Sequence, residues 1–411
     1  MRILKVTQAY YPFLDMGGPA LKVRGLARSL VQRGHHVTVL TADLGLDQSL
    51  GLSASVEPNA WGWRSCQDGV EAIYLRTRAR YRAMTLNPDV IRFSQVSLGD
   101  FDLVHIYGLY DLLGPAVASL SRRRDIPYVV EPMGMTRPID RGFWLKRLWH
   151  VLLGNRVLQG ASLLIATSEQ EQRELITAGF PPERVRVRYN GLDLEEFRQL
   201  PPRGSFRRRW QIEPNEPLIL FFGRLIPRKG ADLLLEAFAT AFSHTGRLVI
   251  AGPEGEPGYL QTLAKKARAL GIDRRVAFTG PLYGADKNAA LADADIFALP
   301  SRYENFANAA AEAMACGTPV IVTESCGISA LVSQGAGLVI PRSERALTQG
   351  LRELTANTAL YSRLQAGCYN VVAQISWEEL GGRMEDYYTH VLAESSVRHR
   401  KPFSISTLSN R

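Results

Sequence analysis

The chain reads as an α/β protein built from two Rossmann-like domains with parallel sheets, and three observations predict it. Its 411 residues suit two domains at roughly 150 residues each, with room for excursions. Short β-branched runs alternate with helical periodicity from end to end, the pattern of strand–helix–strand units. Between two such series, Glu195-Glu-Phe-Arg-Gln-Leu-Pro-Pro-Arg-Gly204 breaks both periodicities with Pro201, Pro202 and Gly204, which places a linker there.

In the first series the expected strands are Ile3–Thr7, His36–Leu40, Ala72–Leu75, Leu103–Tyr107, Tyr128–Val130, Leu163–Ala166 and Val185–Arg188. Leu21, Leu26, Ala27 and Leu30 recur at near-helical spacing within 19–33, and Gly34 follows as a C-cap, so a helix joins the first two strands. Residues 41–70 and 76–100 are poorer in pattern and are expected as loop-bearing excursions. The second series runs Leu218–Phe222, Leu248–Ile250, Val276–Thr279, Ile296–Leu299, Pro319–Val322 and Gly337–Ile340. Two such domains are expected to face a cleft lined by the carboxyl ends of their strands, where ligands of open α/β sheets bind. The expected boundaries are 1–198, 205–376, a last helix at 377–394 and a disordered tail at 395–411.

Composition is that of an ordinary globular protein, with 46% apolar and 22% charged residues. The net charge is 49 − 40 = +9 and the pI about 9.4, which favours anionic partners such as nucleotides or acidic lipid. No nucleic-acid-binding module appears, and the charge is modest for this length, so nucleic acid is not expected as a partner. Cys66, Cys316, Cys326 and Cys368 show no CxxC pair and no zinc-finger spacing, which fits a reducing compartment. The N-terminus lacks a signal-peptide core and no run of about 18 apolar residues occurs, so the expected location is the cytoplasm, up to the inner face of the membrane.

Chemistry concentrates in three places. Glu304-Asn-Phe-Ala-Asn-Ala-Ala-Ala-Glu312 sets two carboxylates eight positions apart, about 12 Å if helical throughout. That is too far to share a proton and suited to gripping two ends of one elongated ligand. Phe306, Ala307 and Asn308 would open a helix whose N-terminal amides favour phosphate. Phe222-Gly-Arg224-Leu-Ile-Pro-Arg-Lys229-Gly follows a buried strand. Arg224 there offers a planar fork and Lys229 a point charge, enough to neutralise a diphosphate without a metal. Met16-Gly17-Gly18-Pro19, between the first strand and helix, lets backbone approach a ligand, although a Gly-Gly turn alone is more often just a turn.

In this order, these residues resemble the retaining glycosyltransferases of family 4 (glycosyl transferases group 1), whose architecture is GT-B. The resemblance covers nearly the whole chain. It includes Asn190-Gly191-Leu192-Asp193, Leu299-Pro300-Ser301, Ala-Cys316-Gly-Thr-Pro-Val320 and Ser376-Trp377-Glu378. It implies that Arg224 and Lys229 hold a nucleotide diphosphate, Glu304 the donor sugar's hydroxyls and Glu312 the ribose. The amides of Phe306, Ala307 and Asn308 would reach sugar or phosphate, while Gly17 and Gly18 would pack on the phosphate. It further implies a UDP- or GDP-hexose donor, a glycan or lipid-linked acceptor in cell-envelope or exopolysaccharide synthesis, and a last helix crossing back onto the N-terminal domain. No cofactor and no metal are expected.

The chain departs from the family where many members carry a histidine just after the strand at 128–130. Here that stretch reads Glu131-Pro-Met-Gly-Met135. His105, Glu131 and Arg137 are the candidates for the acceptor side. Asp293-Ala-Asp295 imitates a metal-binding DxD, but its place at a helix end before a buried strand argues for capping. The stretch 142–153, with Trp144, Trp149 and leucines among Lys146, Arg147 and His150, has the composition of an amphipathic helix on an anionic membrane, or of a helix packed on its own domain with a snorkelling edge. Other functions consistent with the architecture are a nucleotide-sugar epimerase and a degenerate transferase acting as a binding partner. A phosphorylase would need a pyridoxal-phosphate lysine, for which no context appears.

Overall fold

The structure is a computed structural model that describes residues 1–13, 18–44, 56–81, 84–136 and 143–400. The chain divides into two units, one of Met1–Ala166, Gln172–Arg188 and the residues from Leu380 onward, the other of Thr167–Glu171 and Tyr189–Glu379.

The first unit holds β1 (Arg2–Val6), β2 (His36–Ala42), β3 (Val56–Asn59), β4 (Gly62–Gln67), β5 (Val70–Leu75), a small hairpin of β6 (Ala79–Tyr81) and β7 (Met84–Leu86), β8 (Leu103–Tyr107), β9 (Tyr128–Glu131), β10 (Leu163–Ala166) and β11 (Val185–Val187). Nine of them form one sheet in the order β11-β10-β9-β8-β1-β2-β5-β4-β3. All neighbours from β11 to β5 pair in parallel, with Ile3 opposite both Val37 and Leu103. Apart from the half-buried edge strand β11, their side chains are buried on both faces, which is why they read as mostly apolar runs.

The expected excursion at 41–70 contains two strands instead, β3 and β4, which add to the sheet in antiparallel fashion. Their faces alternate between exposed and half-buried, so the apolar signal that marks the parallel strands is weak there. The second excursion carries the β6–β7 hairpin and the helix Asp89–Ser97.

The second unit is one parallel sheet of β12 (Leu218–Phe222), β13 (Arg247–Ala251), β14 (Val276–Gly280), β15 (Ile296–Leu299), β16 (Val320–Thr323) and β17 (Gly337–Ile340). Its order, β14-β13-β12-β15-β16-β17, is the doubly wound one, with strands added outward to one side up to β14 and to the other side from β15, so the order reverses between β12 and β15. Loops leaving those two strands at their carboxyl ends part to opposite sides and open a crevice.

Residues 189–204, expected in the first domain and its linker, belong to the second unit. Leu192 N–H donates to Ile375 O at 2.8 Å, and Asn190 Nδ2 donates to Asn308 Oδ1 at 2.8 Å. Gly191 lies flat on Trp377, where an added Cβ would stand 2.4 Å from the indole. Two of the short motifs noted in the sequence are therefore one packing contact.

The last helix runs Trp377–Arg400, longer than the expected 377–394 and into the segment expected to be disordered. Residues 401–411 lie outside the described residues. From Leu380 onward it packs on the first unit. Gly381 allows this, because a Cβ there would meet Ser29 Oγ at 2.1 Å, and Arg33 Nε then reaches Glu385 at 2.7 Å.

Candidate functional site

The crevice of the second unit gathers most of the expected donor residues. After β12, Gly223 turns with φ +155° and donates to Ala251 O at 2.9 Å. A Cβ there would touch Lys229 Cδ at 3.3 Å, so the missing side chain is what lets Lys229 lie back across the strand end. The turn Pro227–Lys229 closes on Gly230 in the left-handed region, φ +78°, with its Cα against the backbone of Pro300. Thus the loop after β12 is locked onto the loop after β15.

That second loop carries Glu304. Its N–H donates to Ser325 O at 3.1 Å and its carbonyl accepts from Gly327 N at 2.8 Å, so the backbone is clamped from both sides. Lys229 Nζ and Glu304 Oε2 form an ion pair at 2.8 Å, each side chain under a fifth exposed. Arg224 remains exposed, its Cγ and Cδ lying over Gly255, where a Cβ would come within 2.4 Å.

Ala307 adopts φ +85°, ψ 64°, rare for a residue with a Cβ, and caps the helix Asn308–Ala315. Phe306 is buried against Tyr189, ring centroids 6.0 Å apart, and Asn308 is exposed. Because the backbone turns at Ala307, only the four steps from Asn308 to Glu312 are helical, a rise of about 6 Å rather than 12. Glu312 lies in the second turn, paired with Lys287 Nζ at 3.2 Å. Burial pushes its carboxyl above the usual range, partly offset by Lys287.

Lys287 was not among the expected residues. Its signal was a cation in the first turns of the helix Gly284–Asp293, indistinguishable by sequence from a solvated charge. Thr167 was missed too. It accepts from Asn305 Nδ2 at 2.6 Å, and Glu171 takes its N–H and hydroxyl at 2.8 and 2.7 Å.

The candidates in the first unit stand differently. Gly17 and Arg137 lie outside the described residues, and Gly18 begins the helix Gly18–Gln32. His105 and Glu131, expected to line the acceptor side, are both wholly buried. Glu131 is held by Lys22 and Arg188 at once. Burial raises its carboxyl's pKa, but Arg188 and then Lys22 outweigh that and hold it below the usual range. His105 Nδ1 meets Tyr388 Oη at 2.6 Å and Tyr107 Oη at 3.1 Å, with Nε2 3.8 Å from Glu131. Burial, reinforced by Lys5, Arg188 and Lys22, pushes the imidazole well below its usual pKa, so it is neutral. Lys5 Nζ completes the group through Tyr107 at 2.7 Å. This is an interior network, and the loop after it holds Met133 at φ +56°.

The DxD-like pair is structural. Asp293 accepts from the N–H groups of Gly204 (2.6 Å), Phe206 (2.8 Å) and Arg207 (3.2 Å), capping a short helix, while Asp295 pairs with Arg207 at 2.8 Å. Among the described residues no group of three or more His, Cys, Asp or Glu side chains could hold a metal ion.

One doubly wound unit with paired cations and carboxylates at its switch point, and a second Rossmann-like unit in the same chain, are the two parts of the GT-B glycosyltransferase fold. Residues 17–191 match the family model of the glycosyl transferase 4-like domain, and residues 202–370 that of the glycosyl transferases group 1. The chain belongs to that glycosyltransferase family. It is 30% identical to the D-inositol 3-phosphate glycosyltransferase of Frankia alni, over 93% of this chain and 97% of the relative. To the enzyme of the same name from a Nocardioides species it is 27% identical, over 92% and 86%. Among solved structures, Anabaena HepE in complex with UDP and glucose matches 95% of this chain and all of its own, with a TM-score of 0.72 at 22% identity. Sucrose-phosphate synthase from Thermosynechococcus elongatus matches with a TM-score of 0.67 at 19% identity, covering 96% and 100%.

Proposed function

We propose that this glycosyltransferase is a retaining, metal-independent hexosyltransferase that takes its sugar from a nucleotide diphosphate, UDP or GDP, and passes it to a glycan or lipid-linked acceptor in cell-envelope or exopolysaccharide synthesis. The observation that carries this reading is the Lys229–Glu304 pair at the switch point of the second unit. HepE holds UDP and glucose, which makes UDP-glucose the first donor to test.

In this reading Lys229 pairs with Glu304, and Lys287 with Glu312, until a donor arrives. An arriving diphosphate draws Lys229 and the exposed Arg224 to its oxygens, each charge-assisted bond worth roughly 1.5–3 kcal/mol. Glu304 is then released to accept from a sugar hydroxyl. Glu312, held beside Lys287, meets the ribose, and the amides at Phe306, Ala307 and Asn308 meet sugar or phosphate. The bond from the anomeric carbon to the diphosphate oxygen breaks, and the acceptor oxygen bonds to the same face of that carbon. The acceptor's proton leaves on the departing phosphate oxygen, so no protein nucleophile is needed. Fixed cations stabilise the leaving group as its charge grows.

The test combines titration calorimetry with UDP, GDP and their hexose conjugates, in EDTA, with NMR of the product's anomeric centre. Lys229→Ala is expected to weaken diphosphate binding by ten-fold or more, and Glu304→Ala to leave diphosphate binding within three-fold while abolishing transfer. An inverted product, a requirement for added metal, or donor turnover without any acceptor would each overturn the reading, the last in favour of an epimerase.

A further inference from the structure

The first unit carries a continuous helical stretch, Phe143–Trp149, a π-turn at His150–Gly154, then Asn155–Gly160. Its inner side is fixed. Trp149 Nε1 donates to Leu109 O at 2.6 Å, His150 Nε2 lies 3.0 Å from Tyr110 Oη, and Gly154 is buried over the imidazole. On the opposite stripe lie Trp144, Leu145, Leu148, Val151 and Leu152, spaced as one helix face, and each is between 54% and 75% exposed. Apolar side chains scattered singly over a surface need no explanation, whereas five large ones on one stripe mark a contact surface.

The charge beside the stripe says what kind. Arg147 and Arg156, both exposed, flank it, Lys146 turns back over the Tyr110 ring with Nζ 5.8 Å from its centroid, and no aspartate or glutamate occurs from residue 143 to residue 168. No helix among the described residues is long and apolar enough to cross a membrane, so a transbilayer role is out of reach for this one. A second copy of the chain seated on the same face would bring cations against cations.

We propose that the helix 143–153 lies in the plane of an anionic lipid surface. Its apolar stripe sinks into the boundary of headgroups and acyl chains, and Arg147 and Arg156 pair with lipid phosphates. The anchor is coupled to the carboxyl edge of the first sheet, because Tyr110, which holds His150, also donates to Met135 O at 3.2 Å, two residues beyond Met133. Membrane contact stands independently of the transferase reading; where both hold, the edge assigned to the acceptor sits at the surface where lipid-linked sugars reside.

The experiment is co-sedimentation of the full chain with vesicles of phosphatidylcholine alone, or with 30% phosphatidylglycerol, at low and high salt. Binding is expected to the anionic vesicles, and to weaken several-fold in high salt. Leu148→Glu with Leu152→Glu should weaken it at least ten-fold, whereas Ile91→Glu, an equally exposed apolar site on the helix Asp89–Ser97, should leave it within two-fold. The urea-unfolding midpoint of the double variant should equal that of the parent, which separates loss of the anchor from loss of the fold and needs no donor to bind. Absence of binding to anionic vesicles, or binding indifferent to the double variant, overturns the proposal. So does a concentration-dependent dimer in light scattering that the double variant abolishes.

Discussion

Each unit of this protein has a cluster of cations around a carboxylate at the carboxyl edge of its sheet, and the two clusters are opposite in character. In the second unit, Lys229–Glu304 and Lys287–Glu312 sit 13–20% exposed, each a simple pair. Lys22, Glu131 and Arg188 in the first unit are at most 5% exposed and are meshed with His105, Tyr107, Lys5 and Tyr388. A pair that water can reach loses little when a ligand replaces one partner. A pair sealed from water cannot give up either partner without leaving a bare charge in the interior. The accessible pairs are thus suited to exchange, and the sealed group is suited to fixing where strands, loop and last helix stand.

The widest gap between the two should appear on removing the carboxylate. Glu131→Gln leaves Arg188 and Lys22 facing each other without a counter-charge, and a loss of about 3–5 kcal/mol is expected in urea unfolding. A loss below about 1 kcal/mol would mean that water reaches the cluster, and the contrast between the units would collapse.

A smaller effect should follow from unhooking the last helix. Tyr388 reaches across 283 positions of sequence to His105, and its hydroxyl is wholly buried. Tyr388→Phe removes one hydrogen bond and leaves an imidazole nitrogen with one partner fewer, for an expected cost of about 1–2 kcal/mol. Hydrogen exchange should localise the change to residues 380–400 and to β8.

Acid should act on the sealed group before the open one. The folded pKa of His105 is depressed well below its ordinary value near 6.5, so the unfolded chain binds a proton that the native state refuses. The stability this contributes is complete above about pH 6.5 and is lost as the pH falls below it, at up to about 1.4 kcal/mol per pH unit. Glu131, also depressed, adds to the loss only below its ordinary value of about 4.5, in the same direction. Replacing His105 with Asn should flatten the slope of unfolding free energy between pH 5 and 6.5. An unchanged slope would show that the imidazole is already charged in the native state.

The same contrast explains which parts of the molecule were legible in the sequence. Strands rich in apolar and β-branched residues, most of them buried on both faces, announce themselves as runs, so all thirteen expected strands are present within a residue or two at each end, while β3 and β4, exposed on alternate faces, read as loop. In the crevice the pattern was local: Gly223 to Gly230 and Glu304 to Glu312 are short stretches whose spacing alone suggests a ligand. Interior partnerships such as Lys22 with Glu131 and His105 with Tyr388 join residues 109 and 283 positions apart, and nothing in the neighbouring residues points from one to the other. Nor does alanine at 307 suggest a left-handed backbone, since most residues found there are glycine or asparagine.

The smallest effect is the one that most directly separates a site from a scaffold. Glu304→Gln keeps the shape of the side chain and removes its charge, leaving Lys229 beside a neutral amide at a place water can enter. The stability change is expected to lie within about 0.5 kcal/mol, as for other partly exposed pairs. UDP binding should be unchanged or slightly tighter, because the diphosphate no longer competes with a carboxylate for Lys229. The comparison is therefore between two conservative glutamate-to-glutamine changes of the same chemistry, one in each unit. If Glu304→Gln destabilised the protein as much as Glu131→Gln, the Lys229 pair would be scaffold too, and the diphosphate would have to be held by Arg224 and backbone amides alone.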